Sequence, residues 1–285
     1  FGRVRRCADD HEFQMYQQSW DKLNYAKDDP KTWHPKQQDV LDRIKERTLI
    51  DDEDVKKNSQ RFLYVKGRPG SGKTAVLIEG AVRAAKDGLT VLIVCPTGAL
   101  VCSLKEWLPE FEGVERIHVD TIHSVLKYKR DRDNKVEFVP PSGFRKYEVV
   151  FCDEGSQYDD LEWQRLFQTV KEQPHLPYVM VVADFQQLRP MSNGSMCKKF
   201  CERMESIELV TSYRSTCPEH LLFLNRIREV QPDRQTLAKY FGDRHWDNDD
   251  LEECVAYGLE LAAARGKVFA WLTSSNHGAS AVCRA

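Results

Sequence analysis

Residues 61–86 read RFLYVKGRPGSGKTAVLIEGAVRAAK: a β-branched apolar run, a glycine-rich segment, then a helical pattern. Gly67, Gly72, Lys73 and Thr74 satisfy the spacing G-x-x-x-x-G-K-[ST]. A strand before it and a helix after it are the context in which that spacing has a physical meaning. The glycines let successive backbone N–H groups turn inward, and the helix N-terminus adds the positive end of its dipole to the same concavity. A polyphosphate is the natural occupant. Gly67, Gly70, Ser71, Gly72, Lys73 and Thr74 are therefore the candidate nucleotide-binding set, with Lys73 reaching the β- and γ-phosphates and the Thr74 hydroxyl ligating Mg²⁺.

Around this segment, short apolar runs (FLYV at 62–65, VLIVC at 91–95, YEVVFC at 147–152, YVMVV at 178–182) alternate with longer amphipathic stretches. Strands that are apolar throughout and separated by helices predict an α/β fold, a parallel sheet sandwiched by helices. A helix is expected from Thr74 to about Lys86, closing on Gly88. Residues 1–32, polar and aromatic with helical spacing, are expected to form an accessory helix or linker. The ATP-binding domain is expected over 33–205, with an inserted β-hairpin at about 125–140, and an incomplete second domain over 206–285.

The run VVFC ends in Asp153-Glu154, which puts two carboxylates at the carboxyl edge of the sheet, where ligands bind in such folds. Asp153 is the candidate to hold Mg²⁺, and Glu154 the candidate to orient and deprotonate an attacking water. After the next run, Gln187 in ADFQQLRP is a neutral donor and acceptor able to contact a γ-phosphate and that water together.

Length, charge and cysteine usage bound the class. At 285 residues, about two domains are expected. The formal net charge of −2, with 30% charged residues, excludes a protein basic all over, so any nucleic-acid contact is expected in a local groove. No run approaches the ~20 apolar residues of a membrane span, so no membrane partner is expected. Nine scattered cysteines do not form a disulfide framework and are expected to be reduced thiols in an intracellular protein, the nucleus being the first expectation and the cytoplasm or mitochondrion the others. The chain begins at Phe1 and ends at Ala285 in a helical run, the pattern of a piece of a longer polypeptide.

In order and spacing, HPKQQDVL, GRPGSGKT, CPTGALV, DTIHSVL, VVFCDEGSQ, VADFQQLRP, LVTSYRS and FAWLTSSN resemble the motifs of superfamily-one helicases, most of all the PIF-type and RecD-like 5′-to-3′ DNA helicases, over about residues 33–280. The resemblance implies RecA-like P-loop NTPase domains, the second of them partial, with ATP as substrate and Mg²⁺ as cofactor. It implies that Gln37 reads the adenine edge, that Gln187 senses the γ-phosphate, and that Arg214 reaches that phosphate from the second domain. It further implies that Pro96, Thr97 and Gly98, with Thr121 and His123, contact single-stranded DNA. Three features depart from the pattern: DEGSQ ends like RNA-directed Upf-like relatives, leaving RNA open as the track; Ala183 stands where the family usually has Gly before the sensor Asp; and the two C-terminal motifs of the family find no match.

The reading is thus an ATP-dependent DNA helicase or translocase. The alternatives are a nucleotide-binding regulatory or scaffold module, and a Upf-like RNA helicase. Weaker signals are the basic and aromatic residues of KYKRDRDNKVEF, read first as a solvated hairpin and second as a strand-tracking element. Cys197, Cys201, Cys217 and His220 have spacings off the common zinc patterns and are read first as core thiols and a surface imidazole. Trp33, His34 and Tyr213 are candidates to pack on an adenine ring or to belong to the core.

Overall fold

The computed structural model describes residues 33–48, 61–127, 140–187, 190, 195–213, 218–241, 251–264 and 266. In chain order its main elements are α1 (Pro35–Thr48), β1 (Phe62–Gly67), α2 (Lys73–Lys86), β2 (Val91–Cys95), α3 (Gly98–Trp107), β3 (Ile117–Thr121), α4 (Ile122–Val125), β4 (Val149–Cys152), α5 (Asp160–Lys171), β5 (Tyr178–Ala183), α6 (Met196–Cys201) and β6 (Glu205–Leu209). Three helices follow: α7 (Pro218–Glu229), α8 (Arg234–Phe241) and α9 (Leu251–Ala264).

Among the described residues the strands form one six-stranded sheet in the order β3-β2-β4-β5-β1-β6, every neighbouring pair parallel. Parallel neighbours need crossover connections, and the helices that supply them cover both faces. The period of two along each strand divides the core. Leu63, Val65, Val91, Ile93, Val149, Phe151, Met180 and Val182 face α1, α2 and α3, while Phe62, Tyr64, Leu92, Val94, Val150, Val179 and Val181 face α4, α5 and α6. Each such side chain taken fully out of water contributes roughly 1.5–3 kcal/mol.

Helix α2 ends as its glycine predicts. Gly88, at φ 90°, bonds back to the carbonyl of Ala85, and Leu89 bonds to that of Ala84, which satisfies the last carbonyls of the helix. Helix α1 is fastened at its C-terminal end, where Arg47 donates to the Phe62 carbonyl at 3.1 Å and pairs with Glu205, to which Arg43 also donates.

The boundary expected at 206 falls within strand β6. Strand β6, Glu205–Leu209, lies alongside β1 and completes the sheet, and the compact unit that holds the sheet runs on to Leu221. A separate compact unit takes in the residues from Leu222 onward; in it the rings of Phe223 and Tyr240 stack at 3.5 Å. The expected N-terminal segment 1–32, residues 128–139 of the expected hairpin, and the FAWLT run lie outside the described residues. Among the described residues no helix is long and apolar enough to cross a membrane.

Candidate active site

The sheet order decides which side chains can meet. Strand β5 lies between β1, which leads into the glycine-rich loop, and β4, which leads into Asp153-Glu154. All three strands run the same way, so their following residues converge on one carboxyl edge. Gly72 caps α2 in the left-handed region, at φ 79° and ψ 21°, and a Cβ there would stand 2.5 Å from Gln37 Nε2. Only glycine meets both demands. A Cβ on Gly67 would fill the loop in the same way, 2.6 Å from Ser71 Oγ and 2.9 Å from Lys73 Cγ. The Lys73 ammonium lies inside the cradle and donates to the carbonyls of Gly67 at 2.9 Å and Arg68 at 3.0 Å.

Asp153 is fully buried. One carboxylate oxygen accepts the Glu154 N–H at 3.0 Å, and the other accepts the Thr74 hydroxyl at 3.4 Å. Burial pushes the Asp153 carboxyl up to about 7 and the charge of Glu154 adds to the rise, against the pull of the Glu154 N–H, Lys73 and Thr74. A divalent cation beside Thr74 and Asp153 would offset that burial, and hydroxyl plus carboxylate is the oxygen set that Mg²⁺ takes, so the residues present fit it. Glu154 has φ 48° and ψ 41°, a left-handed conformation that a residue with a Cβ rarely adopts and that clusters at functional sites.

Gln187 comes to the same edge on the turn after β5. Its side-chain N–H donates to Asp184 Oδ2 at 3.1 Å, and the Gln186 N–H donates to Asp184 Oδ1 at 3.2 Å. Asp184 therefore shapes this turn, a role that the aspartate ending an apolar strand before a polar loop could have signalled. Gln37 is buried. Its Nε2 donates to the Ser71 carbonyl at 3.2 Å and its Oε1 accepts the His34 N–H at 3.1 Å, so the amide ties the start of α1 to the loop. From the other side Tyr213 N–H donates to the Gly70 carbonyl at 2.8 Å, and the Ser212 hydroxyl to that of Pro69 at 3.2 Å. Trp33 packs against the core beneath α1. Arg214 lies outside the described residues.

The segments expected at nucleic acid lie further along this edge. Pro96, Thr97 and Gly98 follow β2, while Thr121 ends the adjacent β3 and His123 lies just beyond it. Thr97 caps α3 by accepting the Leu100 N–H, and Thr121 caps α4 by accepting that of Ser124. His123 pairs with Glu162 at 3.1 Å. Tyr158 has no signal in the sequence. It is 1% exposed, its hydroxyl donates to the Val94 carbonyl at 2.7 Å, and the Asp153 carbonyl stands 3.2 Å away as a second acceptor. The thiols of Cys197 and Cys201 are buried in the core, 4.0 Å apart, and Cys217 lies outside the described residues. No metal-holding group of three His, Cys, Asp or Glu occurs among the described residues.

A glycine-rich phosphate loop, a buried aspartate facing the first helical turn, and a strand interposed between them define a P-loop NTPase. The chain belongs to the AAA domain family, whose model matches residues 53–245. Its fold is similar to that in the crystal structure of Pif1 helicase from Candida albicans, with a TM-score of 0.55 and 17% identity, over 82% of this chain and 54% of that one. This chain thus spans about half the length of that solved protein, and the expected resemblance to PIF-type superfamily-one helicases holds for the fold. Among curated proteins no significant match was found.

Proposed function

We propose that this chain is the ATP-binding part of a translocase that moves along single-stranded DNA, 5′ to 3′, at the expense of ATP. One observation carries the reading: Lys73, Thr74, Asp153, Glu154 and Gln187 share a sheet edge with the loops after β2 and β3. A nucleotide site and a strand-contacting surface on one edge can exchange strain through the strand ends that hold both.

In the proposed mechanism Lys73 leaves the loop carbonyls for the β- and γ-phosphates. Thr74 and Asp153 would hold Mg²⁺, which when bound would neutralise charge on the phosphates. Glu154 takes a proton from a water whose oxygen attacks the γ-phosphorus in line, while the bond to the β–γ bridging oxygen breaks and ADP leaves with that electron pair. Gln187, held by Asp184, orients the water. Movement on the strand follows from changes at Pro96–Gly98 and Thr121–His123 as the nucleotide site fills and empties.

The test is steady-state ATP hydrolysis with and without single-stranded DNA and RNA of equal length, using Glu154→Gln as the blank. Stimulation by DNA that vanishes in the variant is the expected result. Stimulation by RNA alone would reassign the track, through recognition of the 2′-hydroxyl. Tight Mg-ATP binding with no hydrolysis on either polymer would replace the motor with a nucleotide-binding module.

A further inference from the structure

Strands β2 and β4 are neighbours, and their carboxyl ends lead to different tasks: β2 to Pro96–Gly98, β4 to Asp153-Glu154. The Val94 carbonyl, at the last register pair of β2 with β4, accepts the Asp153 N–H at 3.0 Å. It also accepts the Tyr158 hydroxyl at 2.7 Å, while that same hydroxyl has the Asp153 carbonyl 3.2 Å away. One buried phenol thus bridges the two strand ends at the point where each leaves the sheet. Its ring is held against Trp163, centroids 6.5 Å apart at 30°, on the first turns of α5. Burial raises the phenol well above its ordinary range. The same stretch continues into the capping box of α5, where Glu162 accepts the Asp159 N–H and reaches His123.

We propose that Tyr158 is a positioning residue that ties the backbone of the cation-binding Asp153 to the nucleic-acid-facing end of β2, so that occupancy of either site is felt at the other. The inference rests on the proposed function for what binds beyond β2, but not for the placement of Asp153. Phenylalanine keeps the ring and its packing, and removes only the bridge. Without the bridge the Asp153 carbonyl loses a donor that helps to fix the direction of the carboxylate. The Val94 carbonyl, still paired with the Asp153 N–H, no longer reports on the turn beyond it. Both the cation affinity and its coupling to the strand are then expected to fall, the coupling equally in either direction.

The experiment compares the wild-type chain with Tyr158→Phe and with Tyr178→Phe. Tyr178 is the control because its buried hydroxyl has no hydrogen-bond partner among the described residues and stands at the start of β5. Binding of a fluorescent ATP analogue is titrated with Mg²⁺, and affinity for a single-stranded oligonucleotide is measured with and without Mg-nucleotide. For Tyr158→Phe the half-saturating Mg²⁺ rises about fivefold, the worth of one hydrogen bond, while Mg-free nucleotide affinity stays unchanged and the effect of Mg-nucleotide on oligonucleotide affinity shrinks. Tyr178→Phe matches wild type. A folded Tyr158→Phe that titrates Mg²⁺ like wild type overturns the inference. If wild type binds no oligonucleotide, the proposed function fails, and the Mg²⁺ titration still judges Tyr158. Should Tyr158→Phe not fold, hydrogen exchange on wild type decides: Mg-nucleotide is expected to slow exchange at Thr97–Val101, and the absence of any change there counts against the bridge.

Discussion

The Thr74 hydroxyl lies 3.4 Å from Asp153 Oδ2, joining the first turn of α2 to the end of β4 across the intervening β5. The loop and the acidic pair are far apart in sequence, and each is an incomplete ligand set alone. The sheet order turns them into one site, at the cost of a fully buried carboxylate.

That cost predicts a trade between stability and binding. Asp153→Asn removes the buried charge but keeps an oxygen to accept the Glu154 N–H. In chelator the variant is expected to melt no lower than wild type. With Mg-ATP at a hundredfold excess over Kd the wild type gains about 2.7 kcal/mol by mass action, and the variant gains far less. Thermal melts with and without Mg-ATP check both halves; a variant that melts well below wild type in chelator would contradict the first.

Glu154 combines a strained backbone with the expected proton-accepting role. Glu154→Gln should bind Mg-ATP as wild type does and lose turnover by roughly 10²- to 10⁴-fold. Glu154→Gly should be equally inactive yet more stable by about 1 kcal/mol, because the left-handed conformation costs an L-residue about 1–2 kcal/mol and glycine little. Denaturant melts and single-turnover hydrolysis separate the two effects.

How far the sequence disclosed this arrangement depends on where each residue sits in the sheet. The central strands β1, β2, β4 and β5 are buried on both faces and show as continuous apolar runs, as at VLIVC and YVMVV. Strands β3 and β6 are the two edges, and IHVDT and ESIEL carry polar residues that need not be buried, so their pattern is faint and the boundary expected at 206 cut through β6. The phosphate loop was legible because its chemistry is local and contiguous. Tyr158 was not, since what it does depends on which strand end lies beside it.

Gln37 tests how a resemblance transfers to this chain. The resemblance gives it the adenine edge, whereas its amide here is engaged with the Ser71 carbonyl and the His34 N–H. Gln37→Ala is expected to weaken ATP and GTP alike, by about fivefold for one lost hydrogen bond, because the loop and not the base loses support. Competition binding with the two nucleotides measures this; a loss confined to ATP would restore the base-reading role.

Gly155 sets the distance between the acidic pair and β5, the strand that leads into the turn of Gln187. A Cβ there would stand 2.8 Å from Val181 Cγ1 and 3.6 Å from the Val182 carbonyl, so the turn after Glu154 can lie this close to β5 only with glycine. Gly155→Ala should therefore destabilise the chain by about 1–3 kcal/mol, the usual cost of overpacking. Because the turn must lift, Glu154 moves with it, and hydrolysis should fall more than Mg-ATP binding does. Val181→Ala removes the methyl that clashes. The double variant Gly155→Ala/Val181→Ala should accordingly be more stable than the sum of the single losses, by roughly 0.5–3 kcal/mol of coupling for residues in contact. Strict additivity in a double-mutant cycle of denaturant melts would mean that the turn does not rest on Val181, and that its closeness to β5 does not position Glu154.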